Sequence, residues 1–562
     1  MGRVPIVFFL LLLDWEAAAH VPQATDAAKT QSSEKCTVAG TVVRLDSGAV
    51  LKKATVVLRS PEGGGKSVFA ITDDQGRFQF DNVEPGSYGL DASHNGFVTL
   101  LYGQKKPDSP GATLTLAPGQ KMTDLVFKLL RSASISGHVM DEDGEPLPYV
   151  EVRPCQTSSR RGRSGLGAVG EVLTNDLGEY RIFDLNPGRY YIRATYSPRS
   201  HLWGNPSSTR IPKEAYPPTF YPNAMDPAKA GVLIVKAGDE IPAVDFILKP
   251  SPVVTVRGKV FNAVASRPDL NAVVSLLPRS VIFVGDDQSL QGDAWNKNGT
   301  FEIRDVFPGS YIIQAWWRDK DSAENYSARR ELDVGNFDVE GVNLTITRGA
   351  DVLGHVIWEE KPPTEVQDVH VVLRAIDESP YSQNSGAYQA KPDGSFLIKN
   401  VPEGVYRPNI YTGSRDCFVK SARYGPADVT EGGLAVHPRM DASLELKISC
   451  RAAQIEGAVL TGDSLPAVGV YVVAIPDAPH RDQLWKYCSE TTDQNGKFLL
   501  RGIVPGEYRI FSWDSGGDFD WYNADQLKPY DSKGVPVSVQ EGDRRTMQLT
   551  AIQPENNPQP IR

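Results

Sequence analysis

Short runs of alternating apolar and polar residues, each introduced by an Asx-rich turn that ends in glycine, recur five times along the chain. The turn glycines Gly76, Gly178, Gly299, Gly394 and Gly496 are each followed ten residues later by a second glycine, Gly86, Gly188, Gly309, Gly404 and Gly506. Between them the pairs Phe78/Phe80, Tyr180/Ile182, Phe301/Ile303, Phe396/Ile398 and Phe498/Leu500 stand two residues apart. That period predicts a strand with one buried face, and the glycine supplies the positive φ of a hairpin turn. Pro85, Pro187, Pro308 and Pro505 precede the second glycine; the fourth copy departs, with Glu403 there and Pro402 one place earlier. Two residues past the second glycine stands Tyr88, Tyr190, Tyr311, Tyr406 or Tyr508. Alternation then resumes, so a second strand turns its Tyr inward, and a phenol buried at such a corner is expected to bond nearby backbone.

Each copy opens upstream with a strand at Gly40, Gly137, Gly258, Gly354 or Gly457, and further alternating pieces follow downstream, such as Leu114/Leu116 and Phe127/Leu129. Six or seven short strands per copy, separated by turn signals, predict an antiparallel sandwich. The copies recur roughly every 100 residues, enough for each to close its own core, so the chain reads as beads on a string. The predicted fold class is all-β, a tandem array of five antiparallel β-sandwich domains at 36–132, 133–250, 251–349, 350–450 and 451–552, with a disordered tail at 553–562. The second copy carries two stretches read as irregular insertions, 158–170 and 196–223, and no amphipathic helix is predicted anywhere.

The recurring pattern, written TDDQGRFQFDNVEPGSY in the first copy and TTDQNGKFLLRGIVPGEY in the last, resembles the carboxypeptidase regulatory-like domain family. That resemblance implies a transthyretin-like (prealbumin-like) sandwich for every copy. The arrangement is similar to exported bacterial proteins built only of such units, and it implies binding or scaffolding rather than a particular activity.

Composition adds an address. The 562 residues are 40% hydrophobic and 23% charged, which is globular, and the net charge of −10 argues against general affinity for nucleic acid or anionic lipid. Met1-Gly2-Arg3, the apolar run Val4–Leu13 and the small residues Ala17-Ala18-Ala19 predict an export signal at 1–19, cleaved near Ala19. No later stretch is apolar enough to cross a membrane as a helix, so an extracytoplasmic location is expected. Five cysteines, Cys36, Cys155, Cys417, Cys450 and Cys488, leave at least one thiol without an intramolecular partner. Cys417 and Cys450 fall in one copy and form a candidate disulfide, with free buried thiols as the alternative.

Candidate chemistry is sparse. The eight histidines are scattered with no metal-ligand spacing, no nucleophile elbow occurs, and Gly165–Gly170 fits G-x-G-x-x-G without a helix to follow it. No catalytic residue, metal or cofactor is therefore predicted, and the acidic turns at Asp73, Asn175 and Asp493 are read as turn formers. Aromatics beyond the core positions are what a sugar platform would require. Trp316, Trp317, Trp485, Trp513, Trp521 and Tyr522 are the candidate ligand contacts, and since Trp316 and Trp317 are adjacent on a strand, one must face away from the core. The sequence thus predicts a non-enzymatic binding or scaffold protein whose partner is a glycan, or alternatively a structural or adhesive spacer that contacts envelope proteins.

Overall fold

The computed structural model describes residues 34–553 apart from 61–66, 106, 108, 161–162, 197–213, 265–271, 280–289, 295–297, 320–323, 365, 367, 377–385 and 515–518. The predicted export signal and residues 554–562 of the tail lie outside the described residues. Among the described residues there are eleven sheets, of which ten make five pairs and one small sheet joins Glu214–Ala215 to Ser251–Pro252. Buried apolar side chains gather into five principal clusters, one for each pair.

In every pair the opening strand becomes the centre of the first sheet. Cys36–Arg44 pairs antiparallel with Arg77–Val83 and parallel with Lys121–Leu129. The same order recurs around Ala133–Met140, Val254–Asn262, Ala350–Trp358 and Ala453–Leu460. The parallel ladder arises because the last strand arrives after the chain has passed through the other sheet; the remaining ladders are antiparallel. This close parallel approach explains the opening glycines. A Cβ at Gly40, Gly137, Gly258 or Gly457 would overlap the carbonyl oxygen of Leu125, Val244, Val342 or Met547 on the parallel strand.

The Asx turn ties hairpin to sheet. Asp73 Oδ1 accepts from the Gln75 and Arg77 amides, Asn175 Oδ1 from Leu177 and Glu179, and Asp493 Oδ1 from Asn495 and Lys497, all between 2.8 and 3.0 Å. The turn glycine then offers its carbonyl to the opening strand: Val42, Val139, Val260, Val356 and Val459 donate to Gly76, Gly178, Gly299, Gly394 and Gly496 at 2.8–2.9 Å. These side chains are fully used as turn formers.

At the following corner the repeat tyrosines lock the chain. Tyr88, Tyr190, Tyr311 and Tyr508 donate to the carbonyls of Glu84, Asn186, Phe307 and Val504, each four residues back, at 2.7–2.8 Å. Between turn and corner lies a bulge that alternation does not announce. Asn82, Asp184, Asp305 and Asn400 take positive φ of 56–60°, and the fifth copy has Gly502 at 77°. The register skips there, for instance between Cys36↔Val83 and Val38↔Phe80. One extra residue is accommodated by a left-handed conformation that Asn, Asp and Gly tolerate best.

Two insertions thicken the array. The segment read as irregular at 158–170 instead continues a hairpin, Val150–Arg160 with Arg163–Ala168, so the G-x-G-x-x-G glycines begin on a strand. Phe220, in the described part of 196–223, joins Cys155, Leu166 and Tyr191 in a satellite cluster. In the fifth sandwich, residues 519–534 contain the one α-helix among the described residues, Ala524–Leu527, capped by Asn523 and followed by the 3-10 turn Lys528–Lys533.

Neighbouring sandwiches are pinned to one another. Glu324 pairs with Lys399 between the third and fourth, and Glu359, Lys420, Glu541 and Ser449 form a network between the fourth and fifth. The first and last also meet, unlike independent beads. Thr113 bridges to Asp493, Lys105 Nζ reaches Asp514 at 2.7 Å, and Gly103 and Ala112 face Val468 and Gly469.

Candidate functional site

The six aromatic candidates separate into three environments. Trp513 is fully buried, stacked on Phe511 at 4.8 Å and on Trp521 at 6.0 Å. Phe519, Leu527, Tyr530 and Ile552 complete a second apolar cluster on the outer face of the strands Tyr471–Pro476 and Gly506–Trp513. Trp521 also meets Tyr471 at 5.0 Å, and Tyr522 meets Tyr487 at 4.7 Å. Trp513 thus sits on the strand and Trp521 on the segment packed over it. The sheet is apolar on both faces here, and the 519–534 segment removes its outer face from water. Trp485 lies under the Arg407 guanidinium at 5.4 Å and beside Lys486 Nζ at 5.2 Å, so its ring face is already occupied by cations.

The adjacent pair in the third sandwich splits as a strand requires. Trp317 packs on Tyr326 at 5.2 Å and against the core. Trp316 points the other way, into a cleft of about 1600 Å³ between the third and fourth sandwiches. Of the six, Trp316 is the residue that lines this open space.

The cleft is built from the outer face of Gly309–Arg318, the strand Asn325–Val334, the link Asn343–Ala350 and the near side of the fourth sandwich. In the antiparallel register Gln314 lies opposite Arg329 and Trp316 opposite Ser327, so the four share one face. Gln314 is only 9% exposed, yet its side-chain oxygen has no hydrogen-bond partner among the described residues. Five cations line the cleft, Arg329 on the Gln314 face, Arg330 across from Ile313 on the other face of its strand, and Arg348, Lys391 and Lys399, against Glu324, Glu403 and the Asp351 that pairs with Arg348. Lys399 pairs with Glu324 at 3.4 Å and Arg348 with Asp351 at 2.8 Å. Across the floor, Asn400 Oδ1 accepts from the Gly349 amide at 2.6 Å and Asp351 Oδ1 from the Asn400 amide at 3.0 Å. Burial and then Glu324 push the Tyr388 phenol upward, so it is a neutral donor, and it reaches the Lys399 carbonyl at 3.3 Å.

This arrangement orients and attracts. Elsewhere, Glu359, Glu360 and Glu541 are the three acidic side chains that approach one another closely among the described residues. Their oxygens are taken by Lys420, Lys447, Ser449 and the Cys450 amide, so an ion-pair network accounts for them. Beside that network Cys417 is joined to Cys450, across the pair Phe418↔Ser449, while Cys36, Cys155 and Cys488 stand outside that disulfide. Burial drives the Cys488 thiol up to about 11, which leaves it protonated and unreactive at neutral pH.

Gln314, Arg330, Lys391 and Lys399 were not among the residues singled out from sequence. The adjacent Arg329-Arg330 on an apolar-alternating strand is the one local signal that could have found them.

Comparison with known proteins bears on the sandwich rather than on the cleft. Colossin-A of Dictyostelium discoideum is 19% identical over 507 residues, covering 82% of this chain, and the chain spans only 4% of that relative's length. Among solved structures, the TIE protein of Bacillus anthracis is 14% identical over 56% of this chain and 51% of its own, with a TM-score of 0.16. The minor pilin GBS52 of Streptococcus agalactiae is 13% identical over 39% of this chain and 97% of its own, with a TM-score of 0.22. The major pilin subunit BcpA of Bacillus cereus is 10% identical over 56% of this chain and 100% of its own, with a TM-score of 0.14. The family model for the carboxypeptidase regulatory-like domain matches residues 37–129, the stretch that holds the first sandwich with its Asx turn, tyrosine corner and parallel closing strand, and the chain therefore carries a carboxypeptidase regulatory-like domain.

Proposed function

We propose that this chain is a non-catalytic extracytoplasmic scaffold of five sandwich domains, with boundaries near 133, 251, 350 and 451, that holds a ligand-facing cleft in fixed geometry. The observation that carries this reading is the contact between the first and fifth sandwiches: the Gln494 side-chain amide accepts from the Thr115 N–H at 3.0 Å and donates to its C=O at 2.7 Å, and Lys105 pairs with Asp514. A spacer of independent beads has no use for such a contact. A scaffold gains from it, because each junction then restrains the others. The Cys417–Cys450 disulfide supports an oxidising compartment, as does the predicted export signal. The five cations at the cleft favour recognition of a ligand there over a purely mechanical role.

Small-angle X-ray scattering on the chain and on a Gln494→Ala, Lys105→Glu double variant tests this. A compact particle that lengthens in the variant supports the scaffold; an extended particle indifferent to both substitutions would leave only a flexible spacer.

A further inference from the structure

The cleft between the third and fourth sandwiches has three properties that together specify a ligand. It is cationic, with five Lys and Arg side chains against Glu324, Glu403 and the Asp351 that pairs with Arg348, on a protein whose net charge is −10. Arg329, opposite Gln314 in the strand register, shares the face that carries Gln314 and Trp316. The local field is therefore opposite in sign to the whole molecule and attracts an anion. The second property is an acceptor without a donor. Gln314 is nine-tenths buried, and an unmatched amide oxygen in such a position costs free energy until something donates to it. The third is Trp316, half-buried on the same face as Gln314, which adds an indole face to walls that also present Ile376, Leu397 and Val405.

We propose that this cleft binds an acidic polysaccharide, a chain of uronate-type sugars. Carboxylates meet the cations, a ring hydroxyl donates to Gln314 Oε1, and the C–H face of a sugar ring lies on the Trp316 indole. An acidic peptide would satisfy the charges but fits the rest poorly. Extended peptides commonly add to a free strand edge, and here the outer edge of Asn325–Val334 is already bridged at Ser327 to Thr347. The proposal rests on reading the chain as a non-catalytic binding scaffold, and it names the ligand class.

Isothermal titration calorimetry of the full chain against hexagalacturonate tests it, with maltohexaose as the neutral sugar and poly-L-glutamate as the acidic peptide. Hexagalacturonate should bind, weakening as salt rises, and maltohexaose should not. Trp316→Ala and Arg329→Glu should each weaken binding roughly tenfold, as loss of a central contact does. Gln314→Leu should weaken it too while leaving thermal stability intact, because removing an unpaired buried acceptor costs the fold little. That variant separates a lost contact from a lost fold. No binding of hexagalacturonate, or equal binding by all three variants, overturns the proposal. So does poly-L-glutamate binding that is as tight as hexagalacturonate and indifferent to Trp316→Ala, which would indicate an acidic-peptide groove. The scattering profile, read on the same samples, reports the scaffold separately: a compact particle without binding sinks only the ligand, and an open particle that still binds sinks only the closure.

Discussion

The side-chain amide of Gln494 pairs with the backbone of Thr115 as a neighbouring strand would, accepting from its N–H at 3.0 Å and donating to its C=O at 2.7 Å. These residues are 379 apart in the chain. Gln494 is the second residue of the fifth Asx turn, so the turn that organises its own hairpin also reaches the first sandwich.

Gln494→Leu keeps the bulk of the side chain and removes both bonds. The expected loss is about 1–2 kcal/mol, confined to the contact between first and last sandwiches. Amide exchange read by mass spectrometry should quicken around Thr115 and stay unchanged around Val42, whose N–H is held by Gly76 within the first sandwich. Unchanged exchange at Thr115 would mean the contact does not form in solution.

The left-handed bulge predicts opposite outcomes at equivalent positions. Gly502→Ala forces a side chain to a φ of 77° and brings its Cβ to within 2.6 Å of the Arg415 carbonyl oxygen. A cost of about 1–3 kcal/mol follows. Asn82→Gly, at a φ of 59°, should change stability by less than about 0.5 kcal/mol. Urea denaturation of the two variants side by side checks the contrast, which equal effects would abolish.

Trp513 and Trp316 differ as core and cleft residues do. Trp513→Ala opens a cavity beneath the 519–534 cover and should cost about 3–5 kcal/mol, with proteolysis newly entering that segment. Trp316→Ala, on a solvent-filled cleft, should cost less than about 1 kcal/mol. Circular dichroism during denaturation measures both, and comparable losses would put Trp316 in the core instead.

The ion-pair network on the fourth sandwich should weaken in acid. Hydrogen bonds from Lys420 and then Lys447 hold the Glu359 carboxyl down at about 2. A carboxyl depressed in the folded state contributes stability that is present above its unfolded pKa and disappears as pH falls through the folded value. The loss therefore falls between about pH 4 and pH 2. Glu359→Gln should flatten the stability profile in that window and lower stability at neutral pH; a profile as steep as that of the parent chain would contradict the assignment.

Much of a single sandwich was legible in the chain. Phe78 and Phe80, or Phe498 and Leu500, announce a one-sided strand because side chains alternate across a sheet, and the Asx-Gly turn and corner Tyr act within a few residues of themselves. The bulge was written equally plainly, as Asn82, Asp184, Asp305, Asn400 and Gly502 at one repeat position, but single Asp and Asn residues on a strand look like ordinary surface polarity. Trp513, taken from the sequence as a candidate ligand contact, is a core residue because its strand is buried on both faces, as the consecutive buried Ile510 and Phe511 show.

By itself the sequence determined the elements, their fivefold recurrence and the internal contacts of each copy, because those depend on spacings of two, four and ten residues. Only the tertiary structure decided which aromatics are covered, that Gln494 meets Thr115, and that Gln314, Trp316, Lys391 and Lys399 line one cleft. Contacts between sandwiches are set by how folded surfaces dock, and the residues that meet there share no period along the chain. The charge of −10 is a sum over the molecule, whereas binding depends on the local field, and folding gathered five cations where that sum gave no hint of them.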